Sequence, residues 1–291
     1  MMKLIKLGIP KGSLENKTIE LFKTAGWSIT YGKRSYFPDI DDDEISCALV
    51  RAQEMSRYVE NGTLDLGLTG ADWILENESD IFVVRDLIYS KASTRRARWV
   101  LVVRDDSPIE KIDDLEGKKI STEIVNFTTK YFQGKGITVD VEFSWGATEA
   151  KVVEGLVDAA VEVTETGSTI RANKLKIIHE LMTTNTQLIA NNDSWADPWK
   201  RKKIERIATL LSGSLAAMGK VGLKMNVSKE DLGAVMLLLP ALKAPTVSEL
   251  YHEKWYAIET IVDKNVVRDL VPLLQESGAQ GIIEYPLNKV V

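Results

Sequence analysis

The sequence predicts an α/β protein in two unequal parts, with largely parallel sheets in the first part and a strand–helix–strand–strand–helix–strand module in the second. Three observations carry this. From Lys3 to Val163 short apolar runs alternate with helix-patterned segments, the grammar of parallel sheets joined by crossover helices. A long helix opened by Asp197-Pro198 then separates that region from a stretch where two strands follow one another directly. The length of 291 residues suits roughly two or three domains, and 44% hydrophobic with 27% charged residues is ordinary globular composition.

Taken in order, Lys3–Ile9 reads as a strand, with Ser13 as N-cap of a helix carrying Ile19, Leu21 and Phe22. Ile45–Val50, Leu64–Thr69 and Phe82–Ile88 are the next strands, then Trp99–Val103, Lys119–Thr122, Ile137–Phe143 and Ala159–Val163, with helices near Val125–Phe132 and Ala147–Glu154. Asp197 caps and Pro198 opens a helix carrying Ile204, Ile207, Ala208, Leu211 and Leu215. After Gly219, Val221–Val227 is a strand and Lys229–Leu239 a helix. Thr246–Tyr251 and Tyr256–Val262 form a hairpin around His252-Glu253-Lys254. Val266–Glu276 is a helix closed by Gly278, and Gly281–Pro286 a final strand. That order is ferredoxin-like. Pro272 inside the last helix should kink or shorten it. The acidic run Asp41–Glu44 reads as a solvated loop and Lys200–Lys203 as the wet face of a helix.

Charge and cysteine usage narrow the function. With 37 Lys and Arg against 42 Asp and Glu the net charge is −5, which argues against sequence-independent nucleic-acid binding but leaves small anions open. The single cysteine, Cys47, forms no intrachain disulfide and suits a reducing, cytoplasmic setting. His179 and His252 accompany no CxxC or HExxH, so a zinc site is not expected. The N-terminus is too short and interrupted for a signal peptide, and no apolar run approaches the ~20 residues that span a bilayer. A G-x-G-x-x-G fingerprint and a G-x-S-x-G elbow are both missing, and Gly219-Lys220 is only a near miss for a P-loop.

The sharpest local feature is Glu162-Val163-Thr164-Glu165-Thr166-Gly167-Ser168-Thr169-Ile170, where an apolar strand meets an acidic residue and a hydroxyl-rich turn before a helix. Hydroxyls and helix N–H groups there suit a phosphate, and Glu162 suits the vicinal hydroxyls of a ribose. A capped helix with no ligand gives the same pattern.

With Glu149, a five-residue gap and Gly155, this segment resembles the signature of the ATP phosphoribosyltransferase family, which opens histidine biosynthesis. The likeness extends to Lys11-Gly12-Ser13-Leu14, to Arg51-Ala52-Gln53, to Gly62 through Asp72, to Ala172–Leu175 and to Ala244-Pro245-Thr246-Val247. Glu162 stands where the family usually has Asp, Ile170 where it has Leu or Met, and Val157 and Ala160 also depart.

The resemblance implies transfer of 5-phosphoribosyl from 5-phosphoribosyl 1-diphosphate to N1 of ATP with release of diphosphate. It also implies Mg²⁺ held mainly by substrate phosphates, inhibition by L-histidine, and dimers and hexamers. It implies a two-lobed core like type II periplasmic binding proteins, with residues 1–90 and 184–217 as lobe I and 91–183 as lobe II. Residues 218–291 would be an ACT-like regulatory domain. Expected catalytic residues are Lys11, Arg51 and Glu149. Glu162, Thr164, Glu165, Thr166, Gly167, Ser168 and Thr169 would bind the phosphoribosyl donor. Lys11, Gly12, Arg51, Gly70, Asp72 and Arg98 would bind ATP, and Pro245, Thr246, Val247 and Ser248 histidine. Asp72 could equally be a helix N-cap, and Glu149 could hold the adenine edge, accept its proton or cap a helix. Trp145 is the tryptophan to watch near a purine. Gly167 is expected at a close approach of the phosphate. A solute-binding or effector-binding protein of the same two-lobed fold, without catalysis, is the alternative; the former lacks an export signal here and the latter a helix-turn-helix.

Overall fold

The first strand sets the pattern of the N-terminal unit. β1 (Ile5–Lys11) buries Ile5, Leu7 and Ile9 completely and pairs in parallel on both sides, as the central strand of a buried sheet must. The computed structural model describes residues 3–30, 32, 35–89, 95–240, 244–251 and 254–291. They divide into two compact units, residues 1–23 with 27–208 and residues 24–26 with 209–291.

After β1 come α1 (Glu15–Ala25), the short pair β2 (Ile29–Thr30) and β3 (Asp39–Ile40), and β4 (Ile45–Arg51). Then follow α2 (Ala52–Glu60), β5 (Leu66–Gly70), α3 (Ala71–Asn77) and β6 (Phe82–Leu87). The second sheet contains β7 (Ala97–Arg104), β8 (Lys119–Thr122), β9 (Asp140–Phe143), β10 (Ala159–Thr164) and β11 (Leu175–Thr184). Its helices are α4 (Val125–Gln133), α5 (Thr148–Val153) and α6 (Ser168–Ala172). β12 (Thr186–Ala190), α7 (Asn192–Ala196) and α8 (Pro198–Ala217) return to the first sheet and leave it.

The first sheet has the order β4-β1-β5-β12-β6 and the second β11-β7-β10-β8-β9. In each, four strands share one direction and a single strand opposes them, β12 in the first sheet and β7 in the second. β12 reaches the first sheet only after the chain has built the second, and β7 enters the second sheet directly from the first. This doubled arrangement is the two-lobed topology of type II periplasmic binding proteins. The expectation of largely parallel sheets is corrected to mixed ones. The opposing strands are β7 and β12; β12 follows β11, which reads poorly as strand because its register against β7 slips at Ile177/His179 and Glu180/Met182.

Two further expectations fail for one physical reason. The runs Asp41–Glu44 and Lys200–Lys203 are not simply solvated. Lys203, whose side chain is 13% exposed, places its ammonium 2.7 Å from both Asp42 and Glu44, and Lys200 lies 2.6 Å from Asp65, whose side chain is 8% exposed. Asp65 also accepts from the Lys6 N–H at 2.8 Å and the Ser194 hydroxyl at 2.6 Å. Burial pushes the Asp65 carboxyl up, but the Lys200 ammonium and these donors outweigh it and hold the group below its usual range. Ser13 is likewise not a cap, since α1 begins two residues later at Glu15. Asp197 does cap α8, its Oδ1 accepting the Lys200 N–H at 2.8 Å.

The C-terminal unit contains β13 (Lys220–Ser228), α9 (Leu232–Leu238), β14 (Thr246–Glu249), β15 (Trp255–Asp263), α10 (Lys264–Glu276) and β16 (Gln280–Pro286). The sheet order β14-β15-β13-β16 with antiparallel neighbours is ferredoxin-like. Leu223, Met225, Val227 and Ile258 face Val235, Val267 and Leu274 from the helices. The hairpin tip expected at His252 and Glu253 lies outside the described residues. Pro272 sits inside α10 without shortening it, as the helix continues to Glu276. Among the described residues no helix is long and apolar enough to cross a membrane.

Lys200→Met leaves Asp65 buried without its counter-charge and should lower unfolding stability by ~2 kcal/mol. Lys202→Met, on an exposed position of the same run, should stay within ~0.5 kcal/mol. Urea midpoints at neutral pH check both; equal midpoints would assign the Lys200 contact no stabilising role.

Candidate active site

Parallel strands present their C-terminal ends to one side of a sheet, and ligands gather there. In the first sheet those ends are Lys11 on β1, Arg51 on β4 and Gly70 on β5. Lys11 and Arg51 are direct partners in the register. In the second sheet Glu123 follows β8 and Thr164 ends β10. The two sets of strand ends line one cleft of ≈ 650 Å³. Lys11 reaches it with its ammonium 3.7 Å from the centre of the Tyr36 ring, a cation–π contact. Gly12 does not line the cleft. It turns the chain with φ +112°, a conformation that L side chains rarely adopt.

On the opposite wall Thr164, Glu165, Thr166, Ser168 and Thr169 line the cleft. The turn is organised by its own hydroxyls. Thr164 Oγ1 accepts the Gly167 N–H at 2.8 Å, and the Thr166 hydroxyl donates to Ser168 Oγ at 3.0 Å. Gly167 itself is buried, with φ +71°, and a Cβ there would lie 3.1 Å from the Arg171 guanidinium rather than in the cleft. The expected close approach of Gly167 to a phosphate is therefore corrected: backbone conformation requires the glycine.

Carboxylates form the interior of the site. Asp72 lies in the first turn of α3, whose N-cap is Gly70, so the capping alternative for Asp72 falls. Its Oδ2 accepts the Trp99 indole N–H at 2.7 Å and its Oδ1 the Trp73 N–H at 3.0 Å. Its own N–H donates to Thr184 Oγ1 at 3.2 Å. Any Cβ on Gly70 would collide with that carboxylate, which explains the glycine. Burial raises the Asp72 carboxyl above its ordinary range despite these donors. Burial also raises Glu123, which sits near the Asp72 charge. Glu162 rises to about 7, through burial first and then the carboxylates of Glu149 and Glu123. Strand alternation explains its place: Val161 faces the core and Val163 lines the cleft, so Glu162 points the other way, toward Thr148 of α5.

The structure thus brings Lys11, Arg51, Gly70, Asp72, Thr164, Glu165, Thr166, Ser168 and Thr169 to one cleft. Glu149 and Glu162 lie beside one another behind its wall. Arg98 does not join them. It pairs with Glu180 of the neighbouring strand at 3.2 Å, and Arg95 lines the cleft instead. Gln53, Trp99, Glu123, Thr184, Asn185 and Thr186 line it too and were not anticipated. Glu123 could have been found as the first residue beyond a strand end; the Thr184–Thr186 crossover was hidden with β11 and β12. Beside the cleft a second pocket of ≈ 660 Å³ shares Arg51, Gln53, Trp73 and Glu123 with it and carries Phe143 and Trp145. In the C-terminal unit Thr246, Val247 and Ser248 lie on the exposed strand β14, preceded by Pro245. A cavity of ≈ 580 Å³ in that unit is lined by Asn226, Leu250, Tyr251, Trp255, Gln280 and Gly281 instead.

Two lobes meeting at a cleft, with cations on one wall and a hydroxyl-rich turn on the other, define an anion-handling α/β protein of the type II binding-protein scaffold. Residues 51–213 match the family profile described as ATP phosphoribosyltransferase, and residues 217–289 match the HisG C-terminal domain. The chain is 64% identical to ATP phosphoribosyltransferase of Desulfosudis oleivorans and 58% identical to ATP phosphoribosyltransferase 1 of Geobacter sulfurreducens, over the whole of both chains in each case. Among solved structures it resembles the ATP phosphoribosyl transferase (HisG:HisZ) complex from Thermotoga maritima. That match has a TM-score of 0.62 at 29% identity and covers 72% of this chain and 97% of that one. XAC2383 from Xanthomonas citri bound to chloride ion shares the fold at 13% identity, with TM-score 0.50, over 74% of this chain and 84% of that one. The chain belongs to the ATP phosphoribosyltransferase family, the transferases of the first step of histidine biosynthesis.

A Glu162 carboxyl that keeps its proton to about 7 in the fold, against 4.5 ordinarily, makes the folded chain bind more protons between those values. Stability therefore falls as pH rises through that window and stays at the lower level above it. Glu162→Gln should melt higher than the wild type at about pH 8, with the difference shrinking toward about pH 5. Melting curves across that range check it; a constant difference would mean that Glu162 is ionised in the fold.

Proposed function

We propose that the cleft between the two sheets is where 5-phosphoribosyl 1-diphosphate and ATP react, and that Lys11 and Arg51 at the paired strand ends carry the transfer. The observation behind this is their adjacency, opposite the Thr164–Thr169 turn, in a cleft large enough for a phosphorylated pentose. Thr166, Ser168 and Thr169 take the 5-phosphate. Glu165, with Glu162 behind it, accepts from the ribose hydroxyls, and the Glu in place of the family's usual Asp at 162 sits against Glu149 and Thr148.

Adenine N1 is a neutral nucleophile, so the barrier lies in charge separation as diphosphate leaves C1′ and an oxocarbenium ion develops. Fixed cations at the leaving group lower that barrier most, and Arg51 can grip two oxygens at once. Among the described residues no three His, Cys, Asp or Glu side chains converge as a resident metal site. In this reading a divalent ion, Mg²⁺, enters as the counter-ion of the substrate's own phosphates, and no residue role above depends on it. The reading includes a cytoplasmic enzyme assembled as dimers and hexamers.

L-Histidine inhibits by binding the C-terminal unit, where Thr246 and Ser248 offer hydroxyls on an exposed strand. Coupling of ~1–3 kcal/mol gives a roughly 5- to 150-fold effect on substrate handling. Diphosphate release measured with both substrates tests the transfer: Arg51→Ala and Lys11→Ala should each lose about tenfold to a hundredfold in kcat/KM, and Arg51→Lys should recover only part. Wild-type rates in both alanine variants would remove these residues from the reaction. In the same assay Thr246→Ala with Ser248→Ala should relieve inhibition by histidine; undiminished inhibition, or none in the wild type, would make the exposed strand architectural.

A further inference from the structure

We infer that Asp86 is a positioning residue for the reaction: it fixes the Asn185 amide so that the amide oxygen faces the cleft and accepts from a hydroxyl or amino group of a bound substrate. This rests on the transferase reading of the cleft. Asn185 is 7% exposed and lies between Thr184 and Thr186, where β11 gives way to β12, and all three residues line the cleft. Its two neighbours turn their hydroxyls into the protein. Thr184 Oγ1 accepts the Asp72 N–H at 3.2 Å, and the Thr186 hydroxyl donates to the Tyr89 carbonyl at 3.1 Å. Asn185 is therefore the side chain of this crossover with a polar atom to offer.

Its partners decide which atom that is. Asn185 Nδ2 donates to Asp86 Oδ1 at 3.0 Å and to the Thr186 carbonyl at 2.9 Å. Both partners only accept, so the amide must turn its nitrogen to them, and both of its N–H groups are used. Among the described residues no donor reaches the oxygen, and the open space that Asn185 borders is the cleft. The backbone is held as well, the Asn185 carbonyl accepting the N–H of Ala71, the first residue of α3, at 3.0 Å. Asp86 is placed for this by β6: it pairs with Gln187 in the register and so lies diagonally across from Asn185. Its Oδ1 also accepts from Gln187 at 2.8 Å, and its Oδ2 lies 3.7 Å from the Arg96 guanidinium. These groups, Asn185 foremost, hold the Asp86 carboxyl below its ordinary range, so it remains an acceptor. An oriented amide oxygen repels phosphate oxygens, so what it takes is an O–H or N–H of the substrate.

A double-mutant cycle tests whether Asp86 acts through Asn185. In the diphosphate-release assay Asp86→Ala and Asn185→Ala should each lower kcat/KM by about tenfold, the size of one displaced hydrogen bond. The double variant should lose no more than Asn185→Ala alone. The KM of one substrate should rise while that of the other stays within about twofold, and the substrate affected is the one that carries the donor group. Asp86→Asn, which keeps an oxygen for the amide, should recover most of the loss. Gln187→Ala removes the other amide donor on Asp86 at a position that does not line the cleft, and should stay within about twofold of the wild type. Multiplying losses in the double variant would give Asp86 a role independent of Asn185 and overturn the inference, as would wild-type rates in either folded alanine variant. Should the wild type release no diphosphate, the transferase reading falls, and calorimetric titration of the same proteins with each substrate alone decides this one. Affinity lost equally in the three alanine variants supports it, and unchanged affinity overturns it.

Discussion

The buried Asp72 carboxylate is the contact on which the site depends. It starts on α3 of the first sheet and ends on the indole N–H of Trp99 in the second, with the Thr184 hydroxyl beside it where β11 gives way to β12. One acidic side chain thus joins the strand end that supplies Gly70, the crossover, and the aromatic floor of the cleft. Trp73 and Trp99 meet edge to face at 6.5 Å directly over it. An isolated carboxylate in such a place would be costly; here every oxygen is occupied, so burial yields a fixed geometry. The same α3 reaches across again at Glu76, whose carboxylate accepts the first free N–H groups of α4, those of Asn126 and Phe127. α3 therefore ties the two sheets together at both Asp72 and Glu76.

Electrostatics divides the cleft into a cationic rim and an acidic interior. Lys11, Arg51 and Arg95 line the cleft from two strand ends and a loop. Glu123 lines the cleft from the end of β8, and after burial the charges of Glu149 and Glu123 raise the proton affinity of Glu162. The separation follows from strand alternation: on β10 successive residues face core, carboxylate cluster and cleft in turn.

Much of this was legible in the sequence, and the reasons for the gaps are physical. The turn at Thr164–Thr169 and the strand ends at Lys11 and Arg51 stand out because local patterns mark them: hydroxyls in a row, a basic residue after an apolar run. The ferredoxin-like module was readable because its helices and strands are regular. Leu175–Thr184 was not, because two register slips break the alternation that marks a strand. Arg98 read as a cleft residue because sequence cannot tell which of three neighbouring arginines meets Glu180. The Asp42–Lys203 and Asp65–Lys200 pairs were invisible for a similar reason: residues more than a hundred positions apart look like independent solvated runs until the fold brings them together.

The exchanged strand β12 has a consequence for how the chain comes to be folded at all. The first sheet has its β4, β1, β5 and β6 in hand by Leu87, yet the strand that separates β5 from β6 does not begin until Thr186. During synthesis that sheet waits with two adjacent edges open while the whole second sheet is made. Those edges are apolar and unpaired, the condition under which strands find wrong partners. The second sheet has all its strands by Thr184, whereas the first is closed only by β12, so the first sheet and the cleft are completed in the same event.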